Sequence, residues 1–229
     1  MNFGRIKFGK TEAPDKSNYT TYYPHDKPIE ERVWNDDHYL IVSIDPGRVN
    51  CAFRIEKRPK SGNPQTVAFD KWKVEEYIED GILICKTYDN VTKKLESFYK
   101  YFCNCHYIII ERQLPQNYKA TRIAQHIISY FCFRLKNKPN CPSIIEIDPK
   151  MKGKHLGFPR GMDLKAWAVV KAREILEDRN DVFGISVMNY HSRKQDDLAD
   201  VVLQIEAFFM IVPNLSNDII TPDVIEFDI

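Results

Sequence analysis

The chain has 229 residues, 43% of them hydrophobic, and its 33 lysines and arginines nearly balance its 32 acidic residues. This length predicts one domain with a substantial core. No stretch approaches the roughly 18 to 20 consecutive apolar residues of a membrane span, and the polar start lacks the apolar core of a secretory signal. We therefore expect an intracellular, cytoplasmic protein with no membrane association, and six cysteines without a CxxC pair fit a reducing compartment.

The beginning of the chain predicts an extension followed by three strands. Residues 1–37 are polar, rich in tyrosine and without sustained periodicity, which is typical of an arm rather than of core structure. From residue 38, the segments HYLIVSID, NCAFRIEKR and TVAFDKWKVEE have the composition of strands and are joined by short connections. Such connections favour antiparallel pairing.

Helices and strands alternate in the second part of the chain. The segments NVTKKLESFYKYF, YKATRIAQHIISYFCFRL and MDLKAWAVVKAREILED have helical spacing of apolar residues, and the apolar segments YIIIERQ and SIIEID between them predict buried strands. A last helix is expected to begin near Ser192, because Ser192 and Gln195 have the spacing of a capping box.

The predicted order is β-β-β-α-β-α-β-α, which indicates an α/β fold with a mixed five-stranded sheet flanked by helices. We assign this fold to residues 38–212. Residues 213–229 carry four acidic side chains and no base, and they are predicted to form an acidic tail.

Four acidic residues occupy positions that folding alone does not require. Asp45 ends the first predicted strand, Glu111 ends YIIIE, and Asp197 and Asp200 lie three residues apart on one face near the start of the last helix. Each has a structural alternative: a turn before Pro46, an exposed strand end, or an interaction with the helix dipole.

Convergence of these four carboxylates in one place is the stronger hypothesis, because mutual repulsion makes such a cluster costly unless cations neutralise it. Oxygen ligands of this kind suit Mg²⁺. Two divalent ions about 3.5–4 Å apart activate water and stabilise the leaving oxygen of a phosphodiester, which is nuclease chemistry. We therefore predict Asp45, Glu111, Asp197 and Asp200 as catalytic metal ligands for two Mg²⁺ ions.

Positive charge is concentrated in the middle of the chain. From Arg112 to Arg173 there are thirteen lysines and arginines against three acidic residues, a net charge of +10. Local charge of this density attracts the phosphate backbone of nucleic acids, although solvated helix faces are an equally good interpretation of the pattern alone. Lys119, Arg122 and Arg160 are candidate DNA contacts in this segment.

Over roughly residues 39–212, the motifs resemble those of the RuvC-like Holliday junction resolvases in the ribonuclease-H-like superfamily. SIDPGRVN resembles the first motif of that family, IIIERQ the second and KQDDLADVVLQ the third. The residue sequence IERQ is most similar to that of the poxvirus and mitochondrial branches of the family. Asp196 is then a neighbour of the metal ligands.

The resemblance implies a Mg²⁺- or Mn²⁺-dependent homodimer that cuts four-way DNA junctions symmetrically. It also implies that Lys154 and Lys165 correspond to two family lysines, with Lys165 catalytic and Lys154 in contact with DNA. A poxvirus-type origin implies work in the cytoplasm of an infected host.

Three alternatives stay open at this stage. An actin-like or sugar-kinase-like ATPase shares the early strand aspartate and glycine, but it needs a second glycine-rich loop, which nine scattered glycines do not supply. A non-catalytic module that binds branched DNA has no need for four acidic positions. A nuclease of the same fold acting on flaps or forks is equally consistent with the sequence.

Overall fold

The computed structural model describes residues 18–23, 34, 36–138, 140–212 and 215, and it has a mixed α/β fold. The strands are β1 Tyr19–Tyr23, β2 His38–Pro46, β3 Asn50–Pro59, β4 Gln65–Lys73, β5 Ile78–Glu79, β6 Ile82–Leu83, β7 Tyr107–Glu111 and β8 Ser143–Ile147. The helices are α1 Cys85–Glu96, α2 Tyr99–Phe102, α3 Tyr118–Leu135, α4 Lys150–Leu156, α5 Leu164–Asp178, α6 Val182–Tyr190 and α7 Gln195–Ile211.

A six-stranded sheet in the order β1-β8-β7-β2-β3-β4 forms the centre of the fold. Strands β2, β3 and β4 are antiparallel, as their short connections predict, whereas β7 runs parallel to both β2 and β8. The predicted α/β fold and its five strands are therefore confirmed. The carboxyl ends of the parallel strands β2, β7 and β8 lie at one edge of the sheet.

Helices cover both faces of this sheet, and β7 illustrates how the sequence specifies the two layers. Ile108 and Ile110 pack into a core with α1, α2 and α3, while Tyr107 and Ile109 pack on the opposite face against α7. All four side chains are fully buried. A continuous apolar run is what a strand with a core on each side requires.

The sixth strand of the sheet lies within the segment 1–37 that the sequence predicts to be an extension. Strand β1 pairs with the edge of β8 in antiparallel orientation, with Tyr19 opposite Ile147. Its sequence, YTTYY, is short and polar and has no period-two alternation of apolar residues, so periodicity alone does not distinguish it from an arm. Apart from Leu215, the predicted tail 213–229 lies outside the described residues.

Two helices differ from their predicted bounds. The first begins at Cys85, five residues earlier than expected, and is interrupted between Glu96 and Tyr99. The last begins at Gln195, after a left-handed Lys194 with no side-chain cap. The predicted capping box is wrong, because the Gln195 side chain donates to the Met188 carbonyl (2.7 Å).

A buried ion-pair network joins β3 to the helices on the α7 face. Alternate residues of β3 supply two arginines and a glutamate, and the ends of α5 and α6 and the middle of α7 supply the rest. Its members are Arg54, Glu56, Arg58, Arg179, Asp181 and Glu206. Three bases face three acids, and the side chain of Arg54 is completely buried.

Burial would raise the pKa of the Glu56 carboxyl, but Arg58, Arg54 and Arg179 together lower it to about 2. The network is thus balanced in charge and mostly buried, with Arg179 and Glu206 partly exposed at its margin. No helix in the described part of the chain is long and apolar enough to cross a membrane.

Candidate active site

Asp45 and Glu111 lie side by side where two parallel strands end. The register of β2 and β7 pairs Ile44 with Ile110, so the next residue of each strand is an acid. Side chains of a strand alternate between the two faces of the sheet. Asp45, four residues after Ile41, and Glu111, two residues after Ile109, therefore lie on the face where these isoleucines pack against α7. The prediction that these two strand ends bring their carboxylates together therefore agrees with the observed register.

The turn after Asp45 is tight. The backbone N–H of Gly47 donates to the Asp45 carbonyl (3.0 Å), and a Cβ at position 47 would lie 2.3 Å from the Asn50 carbonyl oxygen. Only glycine fits at this approach. The turn brings Asn50 back to the site, where its side-chain amide donates to Asp197 (Nδ2 to Oδ2, 2.8 Å).

Helix α7 directs its first turns at the two strand ends. Asp197 and Asp200, three residues apart, lie on the side of the helix that faces Asp45, and both repel its negative charge. The amino end of a helix also carries a partial positive charge that favours nearby carboxylates. Asp45 therefore lies within electrostatic range of the other three predicted metal ligands.

The pKa values report crowding of negative charge. Burial raises the pKa of Asp45 well above its usual range, and repulsion from Glu111, Asp200 and Asp197 adds to this. Burial also raises the pKa of Glu111, and that of Asp197 is raised for the same main reason. The Gln113 side-chain amide donates to Asp45 (Nε2 to Oδ1, 3.4 Å).

A lysine that the sequence analysis does not select lies among these acids. The ammonium group of Lys152, on α4, contacts the Glu111 carboxylate and donates to Asp200 (Nζ to Oδ1, 2.6 Å). The Lys152 side chain is 11% exposed. Burial would lower the pKa of this ammonium, but Glu111, Asp200 and Asp45 outweigh burial and raise it. We call Asp45, Glu111, Lys152, Asp197 and Asp200 the acidic cleft.

The signal that identifies Lys152 is its place on α4. Lys152 is buried and is four residues before Leu156, which packs against the core of α5 and α7, whereas Lys154 is exposed. A lysine on the apolar side of a helix needs a buried acidic partner. The family resemblance points instead to Lys154, because motif spacing alone does not show which lysine faces inward.

Lys165 lies at the rim of the acidic cleft and not inside it. Its ammonium donates to Asp196 (Nζ to Oδ2, 2.5 Å), and this hydrogen bond raises the pKa of Lys165. The Lys165 side chain is 69% exposed. A cavity of about 170 Å³ connects Lys165 and Asp196 with Glu111, Lys152 and Asp200. Larger cavities of about 450 and 560 Å³ lie elsewhere, so charge and not size marks this site.

The four predicted DNA contacts fall into two groups. Lys154 lies on α4, the helix that carries Lys152, and Arg160 lies in the loop before α5; both are exposed. Lys119 and Arg122 lie in α3, on the opposite face of the sheet. Lys119 pairs with Glu76 (3.6 Å), whereas Arg122 is exposed.

Within the described part of the chain, no three acidic, histidine or cysteine side chains are arranged to hold a metal ion as they stand. The chemistry of the acidic cleft nevertheless fits a divalent cation: its four carboxylates are hard oxygen donors with an excess of negative charge, and a cationic group already lies between two of them. The assignment of these residues as metal ligands stays a prediction.

No protein family model matches the chain. Two viral proteins are similar in sequence. Uncharacterized protein 170L of invertebrate iridescent virus 6 is 26% identical over an aligned length of 223 residues, and the alignment covers 76% of this chain and 89% of that protein. Uncharacterized protein 97L of invertebrate iridescent virus 3 is 29% identical over 118 residues, which span 50% of this chain and 53% of that protein. The expected likeness to poxvirus proteins stays a prediction.

Solved structures are similar in fold at low identity. The yeast mitochondrial Holliday junction resolvase Ydc2 gives a TM-score of 0.58 at 14% identity, covering 82% of this chain and 84% of Ydc2. Thermus thermophilus RuvC gives 0.52 at 12% identity, covering 75% of this chain and 96% of RuvC. The chain has the RuvC fold. RuvC in complex with a Holliday junction substrate gives 0.50 at 11% identity, covering 76% of this chain and 96% of that chain.

In this RuvC fold, the three sequence motifs meet at one edge of the sheet. The first supplies Asp45 from β2, the second Glu111 from β7, and the third Asp197 and Asp200 from α7. Lys152 is the functional candidate that the motifs alone do not reveal.

Proposed function

We propose that this chain is a divalent-cation-dependent endonuclease that resolves four-way DNA junctions. One observation carries the proposal: Asp45, Glu111, Asp197 and Asp200 lie together in the acidic cleft of a RuvC fold, where repulsion from the other three adds to burial in raising the pKa of Asp45. The similarity to structures of Holliday junction resolvases supports the choice of substrate.

Two Mg²⁺ or Mn²⁺ ions are proposed to bind the four carboxylates of the acidic cleft. Bound there, such ions supply an activated water and stabilise charge on a phosphodiester. The protein itself holds the carboxylates in place: Asn50 orients Asp197, and the tight turn at Gly47 fixes Asp45 at the strand end.

Lys165 is proposed to stabilise negative charge on the scissile phosphate. Its ammonium lies at the mouth of the cavity that contains Glu111 and Asp200, and most of its side chain is free to reorient. Lys154 and Arg160 are proposed to contact the DNA arms beside the cleft, and Lys119 and Arg122 to make a second contact on the α3 side.

A homodimer is the proposed active form. A four-way junction has two-fold symmetry, and symmetric incision needs two matching sites, which two copies of one chain supply. The proposed place of action is the cytoplasm, in keeping with the viral relatives.

Cleavage of a synthetic four-way junction in Mg²⁺ or Mn²⁺ tests the proposal. We expect incision near the centre of the junction, with slower cutting of flaps and forks. The Asp45→Asn variant should lose cutting and keep junction binding, whereas Asp89→Asn, which removes an exposed carboxylate on α1, should behave like the wild type. Absence of metal-dependent cutting of every branched substrate, with binding intact, would favour a non-catalytic DNA-binding module.

A further inference from the structure

Lys152 is bound between carboxylates that the proposed function assigns to a cation. Its ammonium contacts Glu111 and Asp200 at once, from a short helix of seven residues that follows β8. Among the described residues, no other base lies within 4 Å of either carboxylate. The position between these two side chains is therefore filled by a cationic group supplied by the chain itself.

The charge of the acidic cleft explains why a cationic group is held there. Four carboxylates face a single ammonium, so the ionised cluster has an excess of three negative charges. A buried cluster of this kind is costly without neutralisation. Lys152 supplies part of that neutralisation and stabilises the protein without metal.

We propose that Lys152 is an internal counter-ion that competes with the divalent cation for Glu111 and Asp200. This inference rests on the proposed function, since it takes these carboxylates as cation ligands. A divalent ion and an ammonium repel each other strongly at short range in a partly buried site, where the effective dielectric constant is low. Cation binding therefore requires the ammonium to leave both carboxylates.

The structure around Lys152 allows that movement. Its four-carbon side chain lines the cavity of about 170 Å³ that extends to Lys165. Rotation into this cavity moves the ammonium toward the side on which a DNA phosphate would approach. A phosphate there is a new partner for the displaced charge, so cation and DNA binding favour each other.

Equilibrium binding of Mn²⁺ without DNA tests the inference, measured by calorimetry and by electron paramagnetic resonance of free Mn²⁺. We expect Lys152→Met to bind Mn²⁺ at least about tenfold more tightly than the wild type, because the competing charge is gone. Lys152→Arg, which keeps the charge, should not gain affinity. Lys150→Met is the matched control: it removes an exposed lysine from the same helix and should change affinity less than twofold.

Thermal unfolding gives a second readout. Metal-free Lys152→Met should unfold at a lower temperature than the wild type, and saturating Mn²⁺ should raise its unfolding temperature by more than it raises that of the wild type. Equal or weaker Mn²⁺ binding by a folded Lys152→Met would overturn the inference and make Lys152 a residue that positions the carboxylates.

The wild-type protein provides a test that does not depend on the folding of a variant. With ¹⁵N-labelled lysine, the Lys152 ammonium resonance should shift and saturate as Mg²⁺ is added. A resonance unchanged at saturating Mg²⁺, or no Mg²⁺ or Mn²⁺ binding to either protein, would overturn the inference. None of these assays uses DNA, so a protein that passes them and cuts no junction would refute the proposed function alone.

Discussion

Two charged clusters lie on the same face of the sheet, and helix α7 contributes to both. In the buried ion-pair network, three bases match three acids, and the pKa of Glu56 is lowered to about 2 by its arginine partners. In the acidic cleft, four acids share one lysine, and the pKa values of Asp45 and Glu111 are raised. Charge balance thus separates the buried ion-pair network from the acidic cleft, for which we propose an external cation.

The largest effects are expected from two substitutions in α7, one in the acidic cleft and one in the buried ion-pair network. Asp200→Asn should reduce junction cleavage by about a thousandfold or more, while the free energy of unfolding falls by no more than about 0.5 kcal/mol, because the change relieves repulsion. Glu206→Gln should cost about 3–5 kcal/mol of unfolding free energy, because it leaves the three arginines of the network facing only two acids.

Cleavage per folded molecule should change little in Glu206→Gln. Urea unfolding and single-turnover cleavage measure the two quantities. If both variants lose stability and activity in parallel, the division into two clusters is wrong.

The pH dependence of stability should differ in sign between the clusters. Because the folded-state pKa of Glu56 is about 2 against an ordinary 4.5, its contribution of roughly 3 kcal/mol should be complete above about pH 5 and be lost as the pH falls toward 2. Asp45 has a raised pKa, so its contribution is greatest at low pH and is lost as the pH rises through that pKa.

Urea unfolding of metal-free protein at a series of pH values measures this dependence. Glu56→Gln should remove most of the loss of stability between about pH 5 and pH 2, and Asp45→Asn should leave that loss in place. The same loss of stability at acid pH in the wild type and in Glu56→Gln would show that other carboxylates cause it.

A smaller effect is expected at the rim of the cleft. Lys165→Met should slow cleavage about tenfold or more but weaken junction binding by less than about threefold, because its charge acts mainly on the transition state. The free energy of unfolding should change by less than about 0.5 kcal/mol, since the Lys165 side of its ion pair with Asp196 is largely exposed. Equal losses of binding and cleavage would reduce Lys165 to an ordinary phosphate contact.

The smallest effect is expected at Asn50. Asn50→Ala removes the hydrogen bond to Asp197 and should cost about 1 kcal/mol of stability and slow cleavage several-fold. Asn63→Ala is the matched control, because Asn63 makes an exposed hydrogen bond to the Arg179 carbonyl far from the cleft. Raising the Mg²⁺ concentration should partly restore Asn50→Ala if the lost contact serves to orient a cation ligand.

Sequence pattern predicts the sheet and its helices well where one physical cause dominates. The run Tyr107–Glu111 requires burial on both faces, and helix α3 has the bounds that its periodicity predicts. The alternating charges of Arg54, Glu56 and Arg58 do not reveal their burial, because period-two alternation is the same whether the polar face meets water or other charges. Their partners come from residues more than 100 positions away.

The same limit applies to the site. Asp45 and Glu111 can be predicted from the sequence because each ends an apolar strand, and Asp197 and Asp200 because they lie three residues apart at the start of the last helix. Lys152 cannot be distinguished from Lys154 by charge or motif, since only the docking of α4 decides which of the two turns inward.

The glycine at position 47 links two of these acids. A methyl group there would collide with the carbonyl of Asn50, and Asn50 is the residue that holds Asp197. Even an alanine would therefore disturb the strand-borne and the helix-borne carboxylate together. The alignment of two distant segments of the chain depends on the absence of one carbon atom.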